Sequence, residues 1–562
     1  MADAARRVLS PLPVPFSLFP FALSLVPLEH HLARIIRYTF RSAMLPRIVP
    51  VAVFWFLTSG AVPPLAARLP APIEDAIRHV TAAELRGHIT ILASDQLAGR
   101  GLGDAGNREA ERYITAALRD AKVVAAAPNY TQPVEVYQPH LGPDGRLTIT
   151  KSDQPFAELA VGSDLLPLPL SSDQTANGPL VFVGHGISAP QLNHDDYMGV
   201  DARGAIVLAL DNAPDALRRL PRLSNEDRDE IAAVDRKADD ARAHGAVGLI
   251  VIRSSLGDAQ YLWPDHPSVR AATYRLYAPM REKPLAVAAI SERAAASIRH
   301  AIERRQSLRA TLHPGVLATP TVMDNILAIV EGRRGSGEMV VVGAHMDHDG
   351  IDDMGRIYNG ADDNASGTAA VLAMAGAFTH AAAEGARPAR AIVFALWNGE
   401  EKGSLGAEYY AAHPVPARRV VANVNLDMIG RDEDIPNPDD PRFRGFEKTA
   451  ASQNTNVVHL LGYTYSPDLA RIAGIANETI HLTIKQDYDH DSQNLVRRSD
   501  NWPFLQRGVP AVFLTTGLHP DYHTPDDDTA RIDFAKLERI TELASRIAWM
   551  AADGDAPRFK GQ

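Results

Sequence analysis

The stretch "AIVFALWNGEE", residues 391–401, decides the fold class of this chain. Its first seven residues, Ala391 to Trp397, are apolar without polar alternation, which is typical of a strand buried on both faces of a parallel sheet. The run ends at Asn398-Gly399 and is followed at once by two carboxylates, Glu400 and Glu401. Because adjacent carboxylates repel each other and no strand end requires them, this pair indicates a function beyond the fold.

Further apolar runs of the same kind lie on both sides of this strand, with helical segments between them. They cover residues 325–330, 339–344, 420–426 and 510–515. This alternation predicts an α/β fold, a three-layer αβα sandwich around a mostly parallel mixed sheet. The segment before these runs is β-rich with one helical crossover, and we interpret it as an accessory domain inserted into the main one.

Composition excludes several classes of protein. A chain of 562 residues is too long for one ordinary core, so at least two domains are expected. The formal net charge of −11 argues against nucleic-acid binding, which would require a basic stripe. The chain has no cysteine, which excludes thiol nucleophiles, cysteine-ligated zinc and disulfides.

The N-terminal segment carries a secretory signal pattern in residues 44–67. Its apolar stretch, Ile48 to Phe56, is shorter than the roughly 20 residues that a membrane span needs. We therefore expect a periplasmic or secreted protein that starts at Met44 and is not inserted in a membrane once the signal is removed. An uncleaved anchor is the alternative.

Polar residues of a limited set of types follow the predicted strands, where open α/β sheets place their sites. Taken singly they have simpler explanations: Asp362-Asp363 could lie in the N-terminal cap of the next helix, and Glu400-Glu401 could be a solvated helix start. Together they predict a metal site, because two histidines and several carboxylates follow strand ends that a sheet brings together. The residues are His345, Asp347, Asp362, Asp363, Glu400, Glu401, Asp427 and His523.

These residue types favour zinc or, less selectively, manganese or cobalt. The carboxylates are too many for one tetrahedral ion, whereas two ions about 3.5–4 Å apart share a bridging carboxylate. Asp347 is expected to accept a hydrogen bond from the free ring nitrogen of His345. One of the paired glutamates would then bind metal while its neighbour deprotonates the attacking water.

Five segments carry a resemblance to a known family. They read "GAHMDH", "NGADDNASGTAA", "WNGEEKGSLGAEYY", "NVNLDMIGR" and "GLHPDYHTPDDD". They resemble the co-catalytic zinc exopeptidases, which include secreted bacterial leucyl-type aminopeptidases, aminopeptidase Y and glutamate carboxypeptidase. Residues 160–310 resemble, less sharply, the protease-associated domain that is often inserted in these enzymes.

The resemblance implies a division of the chain and a role for each site residue. The expected parts are an N-terminal extension with the signal (1–70), the start of the peptidase domain (72–158), the protease-associated insert (159–312) and the main peptidase part (313–555). The implied ligands of two zinc ions are His345, Asp362 as the bridge, Glu401, Asp427 and His523, with Glu400 as general base, Asp347 as the residue that orients His345, and Tyr522 either holding the oxyanion or packing.

The function expected from this resemblance is that of an exported dizinc aminopeptidase acting on peptides. A carboxypeptidase or dipeptidase of the same family is the first alternative, because it would use the same metal centre. Glutaminyl cyclisation on a single zinc and a non-catalytic binding protein are further alternatives. One departure from relatives, Asn501 in "SDNWPF" where many have histidine, concerns the shape of the pocket rather than the chemistry.

Overall fold

The computed structural model describes residues 69–220, 223, 225–257, 274–276, 283–333, 335, 337–440, 442–491 and 493–560. The signal segment expected in residues 44–67 therefore lies outside the described residues. Within the described part, no helix is both long enough and apolar enough to cross a membrane.

The chain alternates helices with strands throughout. The helices are α1 (Ala71–Arg78), α2 (Ala82–Leu92), α3 (Ala105–Asp120), α4 (Asp215–Arg218), α5 (Asn225–Ala232), α6 (Val234–Ala243), α7 (Glu292–Glu303), α8 (Gly367–Ala383), α9 (Leu405–Ala412), α10 (Pro467–Asn477), α11 (Trp502–Gln506) and α12 (Phe534–Asp553). The strands are β1 (Val124–Ala125), β2 (Thr131–Leu141), β3 (Arg146–Lys151), β4 (Gln154–Ala160), β5 (Leu165–Pro167), β6 (Ala176–Phe182), β7 (Ser188–Ala189), β8 (His194–Asp195), β9 (Ile206–Leu210), β10 (Gly248–Arg253), β11 (Arg275–Leu276), β12 (Ala286–Ser291), β13 (Leu308–His313), β14 (Val316–Val330), β15 (Glu338–His345), β16 (Gly350–Ile351), β17 (Ile357–Tyr358), β18 (Ala391–Trp397), β19 (Arg419–Leu426), β20 (Val457–Leu461), β21 (Thr483–Lys485) and β22 (Ala511–Thr515).

The main sheet has the strand order β11-β2-β14-β18-β15-β19-β22-β20-β21, with β1 paired to β14. Its four central strands, from β18 to β22 in this order, are parallel to one another. The neighbours on either side, β14 and β20, pair antiparallel with this centre. The expected α/β fold with a mixed sheet is therefore confirmed, and the apolar runs predicted as strands all belong to this sheet.

The main sheet is buried on both faces, as the continuous apolar runs predicted. One face packs with the helices α1, α2, α3, α8, α10 and α12 in a single core that contains Ile392, Phe394 and Leu396. The residues in between point to the other face, where Trp397 packs with Tyr410 of α9 and Phe504 of α11. Helices on both faces give the three-layer arrangement.

A second sheet is built from residues 146–313 and has the order β4-β3-β13-β6-β9-β10-β12-β5. Its strands β6, β9, β10 and β12 are parallel, and helices α5 and α6 connect β9 to β10. We call residues 146–313 the accessory region. Its extent resembles that of the expected insert, but the assignment to the protease-associated type stays a prediction.

Candidate metal centre

The four central strands of the main sheet end at one edge, and each is followed by a residue of the expected site. His345 is the last residue of β15, and Asp427 directly follows β19. A short 3-10 turn, Glu400–Lys402, follows β18, and the loop after β22 leads to His523. Because the strands are parallel, these side chains meet outside the carboxyl edge of the sheet.

His345 is the centre of one group of potential ligands. It is fully buried, and its Nε2 lies 3.3 Å from Oδ1 of Asp427 and 3.4 Å from Oδ1 of Asp363. Its other ring nitrogen, Nδ1, lies 3.2 Å from the main-chain carbonyl oxygen of Asp347. A carbonyl oxygen only accepts, so the ring hydrogen is on Nδ1 and the lone pair of Nε2 is available to a metal ion.

His523 is the centre of a second group. Its Nε2 lies 3.1 Å from Oδ2 of Asp363 and 3.4 Å from Oε2 of Glu401. The two oxygens of Asp363 thus face two different histidines. This is the geometry of a carboxylate that bridges two metal ions.

Asp363, rather than Asp362, lies between the two histidines, so the geometry does not support the bridging role expected for Asp362. One carboxylate oxygen of Asp362 accepts a hydrogen bond from the main-chain N–H of Gly430 at 2.6 Å, and the other lies 3.3 Å from Nε2 of His519. Asp363 has non-helical backbone angles, φ −106° and ψ 94°, so the two neighbouring side chains leave the chain in different directions. Sequence spacing alone does not distinguish them.

Asp347 holds the turn that carries the paired glutamates. Its two carboxylate oxygens accept hydrogen bonds from the main-chain N–H groups of Glu400, at 3.1 Å, and of Glu401, at 3.3 Å. Its carboxylate is 3.9 Å from Nδ1 of His345, so the orienting contact to that ring comes from its carbonyl oxygen rather than from its carboxylate as expected. Oε2 of Glu400 lies 4.0 Å from Nε2 of His345, beside the ligand group.

Several residues that sequence reasoning missed hold the potential ligands in place. Asp349 Oδ2 lies 3.2 Å from Nδ1 of His523, and Nδ1 of His348 lies 2.7 Å from Oε1 of Glu401. The hydroxyl of Ser499 donates to Oδ2 of Asp427 at 2.6 Å. Asp527 accepts the N–H groups of both Asp362 and Asp363. These residues lie in or beside the motifs, but a motif does not show which of its members make such contacts.

The buried arginine Arg100 joins two of the loops that carry these residues. Its guanidinium donates to the carbonyl oxygens of Met346 at 2.8 Å, Asn359 at 2.6 Å and Gly360 at 2.9 Å. Burial lowers its pKa to about 10, which still leaves it charged at neutral pH. It is therefore a fixed cation close to a set of carboxylates.

The histidines and carboxylates of the centre shift one another's pKa values. Burial alone would lower the pKa of His345, but the carboxylates of Asp427 and Glu400 raise it well above its usual range. Burial raises the pKa of Glu400 well above its usual range, although His345 acts in the opposite sense. Burial would also raise the pKa of Asp363, but hydrogen bonds from His345 and His523 bring it well below the usual value.

The donor set fits divalent cations. Three sets of nitrogen and oxygen donors, His345 with Asp363 and Asp427, His348 with Asp363 and Glu401, and His523 with Asp349 and Glu401, each lie within 4.8 Å of one another. Imidazole and carboxylate together are the ligands of zinc in catalytic sites. A concentration of buried carboxylates with few nearby cations is costly unless metal ions neutralise it.

A pocket of about 40 Å³ opens beside these residues. One part of its wall is acidic and the other is apolar, and Tyr522 lies on it with its ring centroid 4.0 Å from that of His523. Arg498 also lines the pocket, and its side chain is exposed to solvent. The apolar residues are Met428, Leu495, Phe513 and Leu518.

The comparison with protein families gives a match over the region that contains all of these residues. Residues 325–548 match the model of peptidase family M28. We call residues 325–548 the M28 domain after this match. The five motif segments, which span Gly343 to Asp528, lie inside the M28 domain, so the resemblance seen in the sequence is confirmed.

Relatives of the M28 domain carry peptidase names. A protein of Arthroderma benhamiae named "Probable leucine aminopeptidase" is 27% identical over 241 residues, which cover 41% of this chain and 57% of the relative. One of Pyrenophora tritici-repentis named "Probable zinc metalloprotease" is 30% identical over 264 residues, 42% of this chain and 58% of the relative. The chain thus spans little more than half the length of these relatives. The solved structure of an aminopeptidase from Aneurinibacillus sp. strain AM-1 is 17% identical with a TM-score of 0.43, covering 87% of this chain and 97% of that one.

Proposed function

We propose that the protein is an exported dizinc metallo-aminopeptidase that removes N-terminal residues from peptides. The observation that carries this proposal is the position of Asp363, whose two carboxylate oxygens face two different histidines. A carboxylate shared between two ions is characteristic of two-metal hydrolases. The secretory pattern in residues 44–67 supports export to the periplasm or the medium.

The proposed ligands divide between two ions. His345 and Asp427 would hold one zinc ion, His523 and Glu401 would hold the other, and Asp363 would contribute to both. When bound, the ions supply Lewis-acid polarisation of the scissile carbonyl and lower the pKa of the attacking water toward neutrality.

Glu400 moves the proton in this mechanism. It takes a proton from the attacking water and later gives it to the leaving amine. Asp347 fixes the main chain at Glu400 and Glu401, so one glutamate is held for metal binding while the other reaches the water. Tyr522 lies on the pocket wall, where its hydroxyl would donate a hydrogen bond to the oxyanion of the tetrahedral intermediate.

The pocket supports action on a terminal residue. The pocket is small, about 40 Å³, and we propose that it holds the terminal residue of a peptide. Its apolar wall suits an apolar side chain at that end, and the carboxylates opposite suit a free α-ammonium group. We therefore expect unblocked peptides that begin with an aliphatic residue to be the best substrates.

A carboxypeptidase or dipeptidase activity is the second candidate, because a cation lines the pocket. The guanidinium of Arg498 donates to the carbonyl oxygen and the side-chain oxygen of Gln493, both of which are neutral acceptors. It is therefore able to pair with a substrate carboxylate. Amino-acid p-nitroanilides, which have no such carboxylate, and N-blocked dipeptides distinguish the two activities.

The Glu400→Gln variant tests the proposed chemistry. We expect kcat for an aliphatic p-nitroanilide to fall by about 10³-fold, within the range for loss of a general base. Zinc content should stay near two ions per chain, whereas a single ion in the wild type would favour glutaminyl cyclisation. Glu478→Gln, at an exposed position, is the matched control and should keep wild-type turnover. Full turnover by Glu400→Gln would refute the role of Glu400.

A further inference from the structure

A short turn of the M28 domain contacts the accessory region and borders the catalytic pocket. The 3-10 turn Leu495–Arg497 and the following Arg498 form this segment. Leu495 and Arg498 line the catalytic pocket, whereas Arg497 lines a different cavity of about 990 Å³. Neighbouring residues of this one turn therefore line two different cavities.

Arg497 makes two ion pairs with helix α5 of the accessory region. Its Nη2 lies 2.5 Å from Oδ1 of Asp227, and its Nη1 lies 2.6 Å from Oε2 of Glu230. The guanidinium also lies over the ring of Trp502, 4.8 Å from the centroid. The side chains of Arg497 and Asp227 are 15% and 24% exposed, so this pair is shielded from solvent more than ordinary surface pairs, whereas Glu230 is 47% exposed.

The remainder of the turn is tied to the metal centre. Asp491 accepts a hydrogen bond from the main-chain N–H of Leu495 at 2.9 Å, which fixes the start of the turn. At its other end, Ser499 donates to the proposed ligand Asp427 at 2.6 Å. A displacement of Arg497 would therefore also displace Leu495 in the apolar wall of the catalytic pocket and Ser499, which holds Asp427.

The cavity increases the importance of the ion pairs. Its walls come from the accessory region, including Ile187 and Leu192, and from the M28 domain, including Tyr465 and Trp502. Because the two surfaces leave this space between them, apolar packing contributes less here than it would across a closed interface. The ion pairs of Arg497 then contribute a larger share of the attraction between the accessory region and the M28 domain.

We propose that Arg497 is a positioning residue through which helix α5 holds the wall of the catalytic pocket in its substrate-binding position. The accessory region thereby controls substrate affinity without contacting the reacting atoms. This inference rests on the proposed peptidase function, since it concerns the binding of a peptide in the same pocket.

The test compares steady-state kinetics of variants on both sides of the contact. Arg497→Ala should raise KM for an aliphatic p-nitroanilide about tenfold, the scale for breaking a shielded charge pair. The change in kcat should stay below about twofold, because the groups that act on the reacting atoms are unchanged. The Asp227→Asn/Glu230→Gln variant should give the same rise in KM, and adding it to Arg497→Ala should raise KM no further, since the contact is already lost.

Matched controls separate positioning from a general loss of structure. Arg507→Ala removes an ion pair of the M28 domain in which Nη2 lies 2.7 Å from Oε1 of Glu408, and it should keep the wild-type KM. Arg497→Lys keeps the charge and should restore part of the affinity. If Arg497→Ala does not fold, the KM of the Asp227→Asn/Glu230→Gln variant still tests the contact, because that variant removes the partners of Arg497 on α5.

The outcomes also separate this inference from the proposed function. A wild type that hydrolyses peptides, together with an unchanged KM in folded variants of either side, would overturn the role of Arg497 and leave the peptidase proposal intact. Additive effects of the two sets of substitutions would also overturn it. A zinc-loaded wild type without peptidase activity would refute the function and the inference together.

Discussion

The two sheets of this protein both place polar residues at the ends of parallel strands, but they treat the charges differently. In the accessory region, the buried Lys237 donates to the carbonyl oxygens of His185, Leu210 and Asn212 at 2.6, 2.8 and 3.0 Å. Asp211, which follows β9, pairs with Arg253 at the end of β10, at 3.1 Å. Each charge there has its partner within the fold.

The M28 domain has no such balance among its described residues. Asp363, Glu400, Glu401 and Asp427 converge on three histidines, and the cation Arg100 donates to carbonyl oxygens rather than to these carboxylates. Buried Asp500 adds a further acid, neither of whose oxygens has a hydrogen-bond partner in the part of the chain that the structure describes. The difference teaches that an excess of converging carboxylates marks a metal site, whereas charges that already have partners at strand ends need no ion.

The largest effect is expected from the adjacent aspartates. Asp363→Asn should lower zinc affinity by more than roughly 100-fold, the upper range for residues that only support ligands, because it removes a bridge. Asp362→Asn is the matched control; its side-chain oxygen still accepts from Gly430, so zinc affinity should change by less than about tenfold. Competition with a chelator measures both. The reverse order of the two affinities would restore Asp362 as the bridge.

Zinc should stabilise one sheet edge and not the other. At a free concentration of 100 times the dissociation constant, zinc adds about 2.7 kcal/mol to the free energy of unfolding. Amide exchange should slow in residues 361–366 and 400–402, which carry proposed ligands, but not in residues 206–212 of the accessory region. Equal protection at both edges would contradict the distinction between them.

The Lys237→Met variant tests the accessory edge. It should lower the free energy of unfolding by about 1–3 kcal/mol, because three part-buried carbonyl oxygens lose their donor. Zinc content should not change. Chemical denaturation and metal analysis measure the two quantities, with Lys448→Met at an exposed position as the control. A loss of zinc from Lys237→Met would show that the accessory region affects metal binding in the M28 domain, against the distinction drawn between the two sheet edges.

The pH dependence of stability tests the charge of the same lysine. Burial lowers the pKa of Lys237 to about 8 from 10.5, so the unfolded chain binds more protons at this residue between these values. The free energy of unfolding of the wild type should therefore rise, relative to that of Lys237→Met, as the pH increases from 8 to 10.5. Denaturation at several pH values measures this difference, and a constant difference would show that the pKa is not lowered in the fold.

The sequence by itself determined the layers of the M28 domain and the residue types of its site. Apolar runs such as Ala391 to Trp397 specify buried strands, because only a sheet covered on both faces accepts them. The histidines and carboxylates that follow these runs specify a metal centre, because parallel strands bring their carboxyl ends together. His345, Glu401, Asp427 and His523 were found in this way.

Only the tertiary structure decided which of the adjacent aspartates faces the histidines and which distant residues hold the site in place. The Cα atoms of Asp362 and Asp363 are about 3.8 Å apart. Because both residues are aspartates, the backbone angles and not the residue type set the direction of each carboxylate. The contacts of Asp527 with Asp363 and of Arg497 with Asp227 join residues far apart in sequence. Such contacts leave no periodic pattern in a single chain, because they depend on how distant loops pack.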